Sequence, residues 1–316
     1  MKKRLRPDVQ ALIKAFGAQN VQPNERLGVL AARRAMEYVS RSQSERTRIR
    51  EVRDILVPGA DGHLPARVYD PAPDVDLPVV VYVHGGGWTL GSVQAADGPC
   101  RRLAHAAQCV VVSIEYRLAP ESPFPAPLDD CVSAIGWILD DPSRVKTGAS
   151  TVMTLGDSAG GNLVLSAAIR RRNDGLRQAD AQMLVYPCVT SPHGNVLPSM
   201  TENADAPVLS ARTMAWYWDT YLDGRQPDPR VDLLQVENLS GLPPTLVVAA
   251  GLDPLRDEAL LFVDRLLGAG VDTTSALYDG AVHGFWWLDG VLQQAAELDQ
   301  ELAEFIRSHD RRSHSQ

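Results

Sequence analysis

Ser158 stands inside Gly156-Asp-Ser158-Ala-Gly160-Gly161, directly after the apolar run Thr151–Leu155 and directly before a helical stretch beginning near Asn162. Glycines two positions either side of a serine let a strand and a helix close around a tight turn. A serine at the apex of such a turn is held in a strained backbone conformation with its hydroxyl presented. The following helix aims its free N–H groups and positive dipole end at negative charge forming there. That chemistry is nucleophilic attack on a carbonyl. On this motif alone, a plain glycine-rich strand–helix turn accounts for the spacing equally well.

A second stretch, His84-Gly85-Gly86-Gly87-Trp88, ends the apolar run Pro78–Val83. Three glycines leave backbone N–H groups unscreened, as an oxyanion hole requires. A phosphate nest or a flexible loop uses glycines too. The chain contains neither Gly-x-x-x-x-Gly-Lys-Ser/Thr nor the dinucleotide pattern Gly-x-Gly-x-x-Gly, which favours acyl chemistry. A serine nucleophile needs a base, and the base needs an orienting carboxylate. In strand–turn–helix hydrolases the chain order is serine, acid, histidine. Of seven histidines, His283, His309 and His314 lie beyond the candidate acids, and the last two fall near or in the polar tail. His283, in Val282-His-Gly-Phe285, is therefore the candidate base, with a surface-loop histidine as the plainer alternative. Asp253 follows the buried run Thr245–Ala250 and is the candidate acid. Asp257 and Glu258 read as helix-capping residues, Asp279 as a lesser rival, and His84 as a brace for the glycine loop.

These side chains need a scaffold that brings distant segments to one rim. The runs Pro78–Val83, Cys109–Ile114, Thr151–Leu155, Gln182–Tyr186 and Thr245–Ala250 are continuously apolar, with a less apolar run at Thr274–Tyr278. Continuous rather than alternating hydrophobicity suits strands buried on both faces. Helical stretches at Ala126–Leu139, Asn162–Arg171, Arg256–Leu267 and Leu292–Ile306 alternate with them, so the spacing predicts an α/β fold with a mostly parallel sheet. Arg50–Val57 and Leu64–Tyr69, flanking a turn-like Pro58-Gly-Ala-Asp-Gly62, predict an antiparallel hairpin. Residues 1–48 read as helices of a cap, and 190–240 as an inserted cap segment, since an excursion that long is usually functional. The core then comprises 49–189 and 241–308, and 309–316 reads as a disordered tail.

The length of 316 residues suits one large domain with a lid, and 45% apolar with 22% charged residues excludes disorder of the whole. A net charge of −8 argues against nucleic acid or an anionic membrane as the main partner. The basic opening has no uninterrupted apolar region behind it, because Asp8, Gln10 and Lys14 break the stretch. No apolar run spans a bilayer, so membrane insertion is not expected and the cytoplasm is the default. Cys100, Cys109, Cys131 and Cys188 form no Cys-x-x-Cys pair and read as buried or near-surface thiols.

Taken in order, His84–Trp88, Tyr116-Arg-Leu-Ala-Pro-Glu121, Phe124-Pro-Ala126, Gly156–Asn162, Asp253-Pro-Leu-Arg-Asp-Glu258 and His283-Gly-Phe285 resemble the bacterial hormone-sensitive-lipase-like esterases. These are a branch of the α/β-hydrolases, and the match runs from about Leu64 to Phe285. The resemblance implies carboxylic-ester hydrolysis by Ser158, Asp253 and His283, with oxyanion donors from Gly85, Gly86, Gly87 and Ala159. It also implies a two-part cap and frequent homodimers, and requires no metal or organic cofactor. Its partners are a small-molecule ester and water, the esters being short- to medium-chain. Trp88, Phe285, Trp216 and Trp218 are candidates to line the acyl pocket, with core or lid packing as the alternative for each. Amide hydrolysis by the same triad and a non-catalytic ligand receptor are the competing functions. The receptor is disfavoured because it would not need to keep all three side chains.

Overall fold

The continuously apolar runs form strands sealed between two layers of helix. In a computed structural model, which describes residues 5–19, 21–40, 43, 46–194 and 196–314, the chain begins with α1 (Pro7–Ala18), α2 (Asn24–Leu27) and α3 (Val29–Ser40). A hairpin of β1 (Glu51–Pro58) and β2 (His63–Asp70) follows. Next come β3 (Val79–Val83), α4 (Asp97–Ala107), β4 (Val110–Ile114), α5 (Ala126–Asp140), β5 (Val152–Asp157), α6 (Ala159–Asn173) and β6 (Gln182–Val185). The remainder is α7 (Pro198–Glu202), α8 (Ala211–Leu222), β7 (Thr245–Leu252), α9 (Arg256–Gly268), β8 (Thr273–Val282) and α10 (Gln294–Ser308).

The sheet order is β1-β2-β4-β3-β5-β6-β7-β8. β1 and β2 pair antiparallel, as do β2 and β4, and all later pairs are parallel. Successive residues of a strand point to opposite faces. Val79, Val81 and Val83 therefore enter one core with α5, α6 and α9, while Val80 and Tyr82 enter the other with α4 and α10. Burying each valine stabilises the fold by roughly 1.5–3 kcal/mol, which ties the strand ends, and the loops they carry, to a rigid platform. α4 is absent from the sequence reading because Gly98, Pro99 and two arginines obscure it. Its buried residues Cys100, Leu103, Ala104 and Ala107 nevertheless keep helical spacing.

A cap of α2, α3 and α8 lies over the carboxyl ends of the strands, with Ala32 of α3 and Met214 and Trp218 of α8 continuing the first core, while α7 packs on α9. α8 begins where Ser210 Oγ accepts from Thr213 N, and ends at Asp223 in the left-handed conformation. The end of the chain corrects the expectation for 309–316. Asp310 is buried, accepts from Thr151 Oγ1 at 3.1 Å and pairs with Arg312, and Arg311–His314 form a 3-10 turn. Ser315 and Gln316 lie outside the described residues. All four cysteines are buried free thiols. Among the described residues no helix is long and apolar enough to cross a membrane.

Candidate active site

Ser158 occupies the junction of β5 and α6 with φ +54°, a left-handed conformation unfavourable for any residue with a Cβ. The flanking glycines are sterically required. A Cβ on Gly156 would come within 2.3 Å of Gly160 O, and one on Gly160 within 2.0 Å of Val83 O. Ser158 N donates to Val185 O at 2.9 Å, which pins the turn to β6. α6 starts at Ala159, three residues earlier than the sequence suggests, so the Ala159 amide is the first of the helix and points out of its end.

Asp253 and His283 reach the same rim from the neighbouring parallel strands β7 and β8. A register shift between Ala250 and Leu252 pairs Leu252 with Val282 and brings the two loop entries side by side. His283 Nε2 lies 2.9 Å from Ser158 Oγ, and His283 Nδ1 lies 2.6 Å from Asp253 Oδ2. The other Asp253 oxygen accepts from Leu255 N at 2.9 Å. Asp253 is fully buried, whereas Ser158 and His283 keep 8% and 7% of their surface exposed. The carboxylate is thus dry and the hydroxyl reachable. Tyr186, itself at φ +36°, sets its ring 4.8 Å from the imidazole and restricts its swing.

The glycine loop is tied to the nucleophile turn by Asp157, which the sequence reading passed over although it adjoins Ser158. Asp157 Oδ1 accepts from Tyr82 OH at 2.6 Å and from Gly85 N at 2.8 Å. Burial pushes this carboxyl above its ordinary range, against the lowering effect of those two donors. Gly85, expected among the oxyanion donors, has therefore already committed its amide. The amides of Gly86, Gly87 and Ala159 have no acceptor among the described residues, and all three residues border the nucleophile turn or its cavity. His84 stays behind the loop, stacked on Tyr116 at 4.4 Å, with Nδ1 2.8 Å from Gly85 O.

A cavity of about 990 Å³ opens onto Ser158 and His283. Its apolar walls include Phe16, Leu27, Met36, Met214, Tyr217 and Trp287, and the exposed side chains of Arg26, Asp205 and Arg212 stand on its lining. The four aromatic residues expected there do not line it. Trp88 is stacked face to face on Tyr221 at 4.4 Å and packs on Trp218, both within the core. Phe285 packs between Tyr186 and Tyr278, and Trp216 rests on Tyr217. A helix turns its side chains through 100° per residue, so in Trp216-Tyr-Trp218 it is the middle residue that faces the cavity. Among the described residues, no group of three or more His, Cys, Asp or Glu could hold a metal ion.

Glu258 is also buried, and its Oε1 accepts from Val189 N at 2.6 Å, in the segment whose Cys188 N donates to Ser158 O. Burial raises its carboxyl from 4.5 to about 8, with Asp253 and Asp232 adding to the effect. A folded-state value above the unfolded one means stability that is fully present below pH 4.5 and is lost as pH rises through about 8. Glu258→Gln keeps the shape without the ionisation. The urea midpoint of the parent should fall between pH 5 and 8.5, and the variant should lose that part of the slope; parallel curves would reject the assignment.

Residues 80–287 match the sequence profile of a family described as alpha/beta hydrolase fold. Esterase LipI of Mycobacterium tuberculosis is 37% identical over 251 residues, covering 77% of this chain and 78% of that protein. Carboxylesterase NlhH of the same organism is 39% identical over 247 residues, or 76% and 77% of the two chains. Among solved structures, the ester hydrolase EH1AB1 from the metagenome of Lake Arreo superimposes with a TM-score of 0.91 at 34% identity. That match covers 97% of this chain and 99% of that one.

Proposed function

Because the chain belongs to the α/β-hydrolase family, on its hormone-sensitive-lipase-like esterase branch, and is a serine ester hydrolase, we propose that Ser158, His283 and Asp253 carry the reaction. The observation that carries this reading is the continuous chain Ser158 Oγ, His283 Nε2, His283 Nδ1 and Asp253 Oδ2, with links of 2.9 and 2.6 Å. His283 takes the hydroxyl proton as Ser158 Oγ attacks the ester carbonyl, and Asp253 holds the tautomer and balances the imidazolium charge. The oxyanion is met by the amides of Gly86, Gly87 and Ala159, each such donor contributing about 3 kcal/mol in the transition state. His283 then protonates the departing alcohol. The alcohol leaves, and water enters by the same base to release the acid and restore Ser158.

The apolar walls support short- to medium-chain acyl groups, and the exposed charges of Arg26, Asp205 and Arg212 support an end to the apolar track. Four buried free thiols support a reducing, cytoplasmic setting. Alkyl fluorophosphonates of increasing length test the reading in one series. A single adduct on Ser158 is expected by peptide mass mapping. Its rate of formation should rise by up to about fourfold per methylene, the worth of a buried CH₂, and flatten once the chain end passes those charges. An adduct on any other residue would remove Ser158 as the nucleophile.

A further inference from the structure

We propose that Tyr217 is a positioning residue for the Gly87 amide, and that Asn24 holds Tyr217 in place, so the cap completes the oxyanion hole as well as walling the cavity. The inference rests on the reading of Gly86 and Gly87 as oxyanion donors.

Gly87 has φ +60°, and a Cβ built on it would fall 2.2 Å from both Cγ and Cδ1 of Tyr217. The phenol ring of α8 is therefore seated directly against the bare α-carbon of the loop. Beneath, the loop is held by its own carbonyls. Gly86 O accepts from Thr89 N and Leu90 N at 3.1 and 2.8 Å, and Gly87 O accepts from Thr89 Oγ1 at 2.9 Å. These bonds orient the peptide planes but leave their cavity face uncovered. Consecutive glycines have no side chains to resist lifting, and water reaching the amides would compete with the oxyanion. Tyr217 supplies the missing cover.

The ring is itself clamped from the other half of the cap. Asn24 Nδ2 donates to Tyr217 OH at 2.7 Å, and Thr213 Oγ1 donates to Glu25 Oε2 at 2.8 Å. Residues 213 and 217 lie one turn apart on a single face of α8, so two successive residues of α2 grip that face. The amino-terminal segment is anchored to the same loop a second time, since Arg33 Nε donates to Thr89 O at 2.9 Å and Arg33 pairs with Glu121 at 2.7 Å. Every link from Asn24 to the α-carbon that carries the Gly87 amide is thus a direct contact.

The test uses p-nitrophenyl acetate, whose acyl group is too short to exploit the cavity walls, and butylboronic acid as a mimic of the tetrahedral state. Tyr217→Ala should lower kcat on the acetate by about 30-fold, less than the 10²–10³ for losing a donor outright. KM should change little, and the Ki for the boronate should rise by a similar factor. Tyr217→Phe, which keeps the ring, should recover most of the loss, and Asn24→Ala should lower kcat a few-fold. If Tyr217→Ala leaves kcat and the boronate Ki at parental values while changing only long-chain esters, the ring is a wall and the proposal is overturned. Should that variant melt early, Tyr217→Phe and Asn24→Ala decide the matter, and parental values in both overturn it. Turnover in Ser158→Ala near the parental rate, or a boronate inert toward the parent, would instead remove the reading beneath it.

Discussion

Ser158→Ala is expected to lower kcat on a p-nitrophenyl ester on the order of a millionfold, the scale reached when a serine hydrolase loses its nucleophile. Without Oγ no acyl-enzyme forms, and His283 is left with only water to activate. The site is otherwise preserved: the amides of Gly86, Gly87 and Ala159 and the His283–Asp253 link at 2.6 Å do not depend on the hydroxyl. A residual rate above the uncatalysed reaction should therefore persist. Alanine meets the same φ of +54° as serine, so the melting temperature should stay close to the parent. Active-site titration gives the decisive readout. A burst equal to the enzyme concentration in the parent and none in the variant is expected, and a retained burst would place the nucleophile elsewhere.

Asp253→Asn should cost on the order of 10⁴ in kcat with little change in KM. Asparagine retains an oxygen for Leu255 N, so the turn into α9 survives. Its other terminus offers N–H where Nδ1 now meets a carboxylate. The imidazole must then carry its proton on Nε2, facing Ser158 Oγ, and can no longer accept the hydroxyl proton. Asp253→Ala is the contrasting variant. It also strands a buried N–H, at roughly 1–3 kcal/mol, and should lose stability as well as rate. A rate drop of less than tenfold in Asp253→Asn, with the fold intact, would mean that another carboxylate orients His283.

The strands β3 to β7 coincide within a few residues with apolar runs visible in the chain, because a strand buried on both faces has no polar positions to disguise it, whereas the edge strand β8 is half-exposed and its run is correspondingly less apolar. The helix starting at Ala159 and the buried α4 are less legible. Glycines and arginines depress their apparent periodicity, and tertiary burial overrides that weak local signal. Trp88 and Phe285 stand out by size and by nearness to catalytic motifs, yet size favours the core as readily as a pocket. Both are wholly buried, while Tyr217 and Trp287 border the cavity.

By itself the amino-acid order determines what neighbours along the chain must satisfy. The bare positions either side of Ser158, the glycine run after β3 and the parallel sheet are all of this kind. Tertiary structure alone decides what is shared through space. Asp157 claims Gly85 N from across β3 and β5, leaving the amides of Gly86 and Gly87 without an acceptor among the described residues, and the residues on either side of Tyr217 turn away from the cavity. The physical reason is that steric demands are written between adjacent residues. Each amide proton and each aromatic face, by contrast, is taken by whichever partner the folded chain brings nearest.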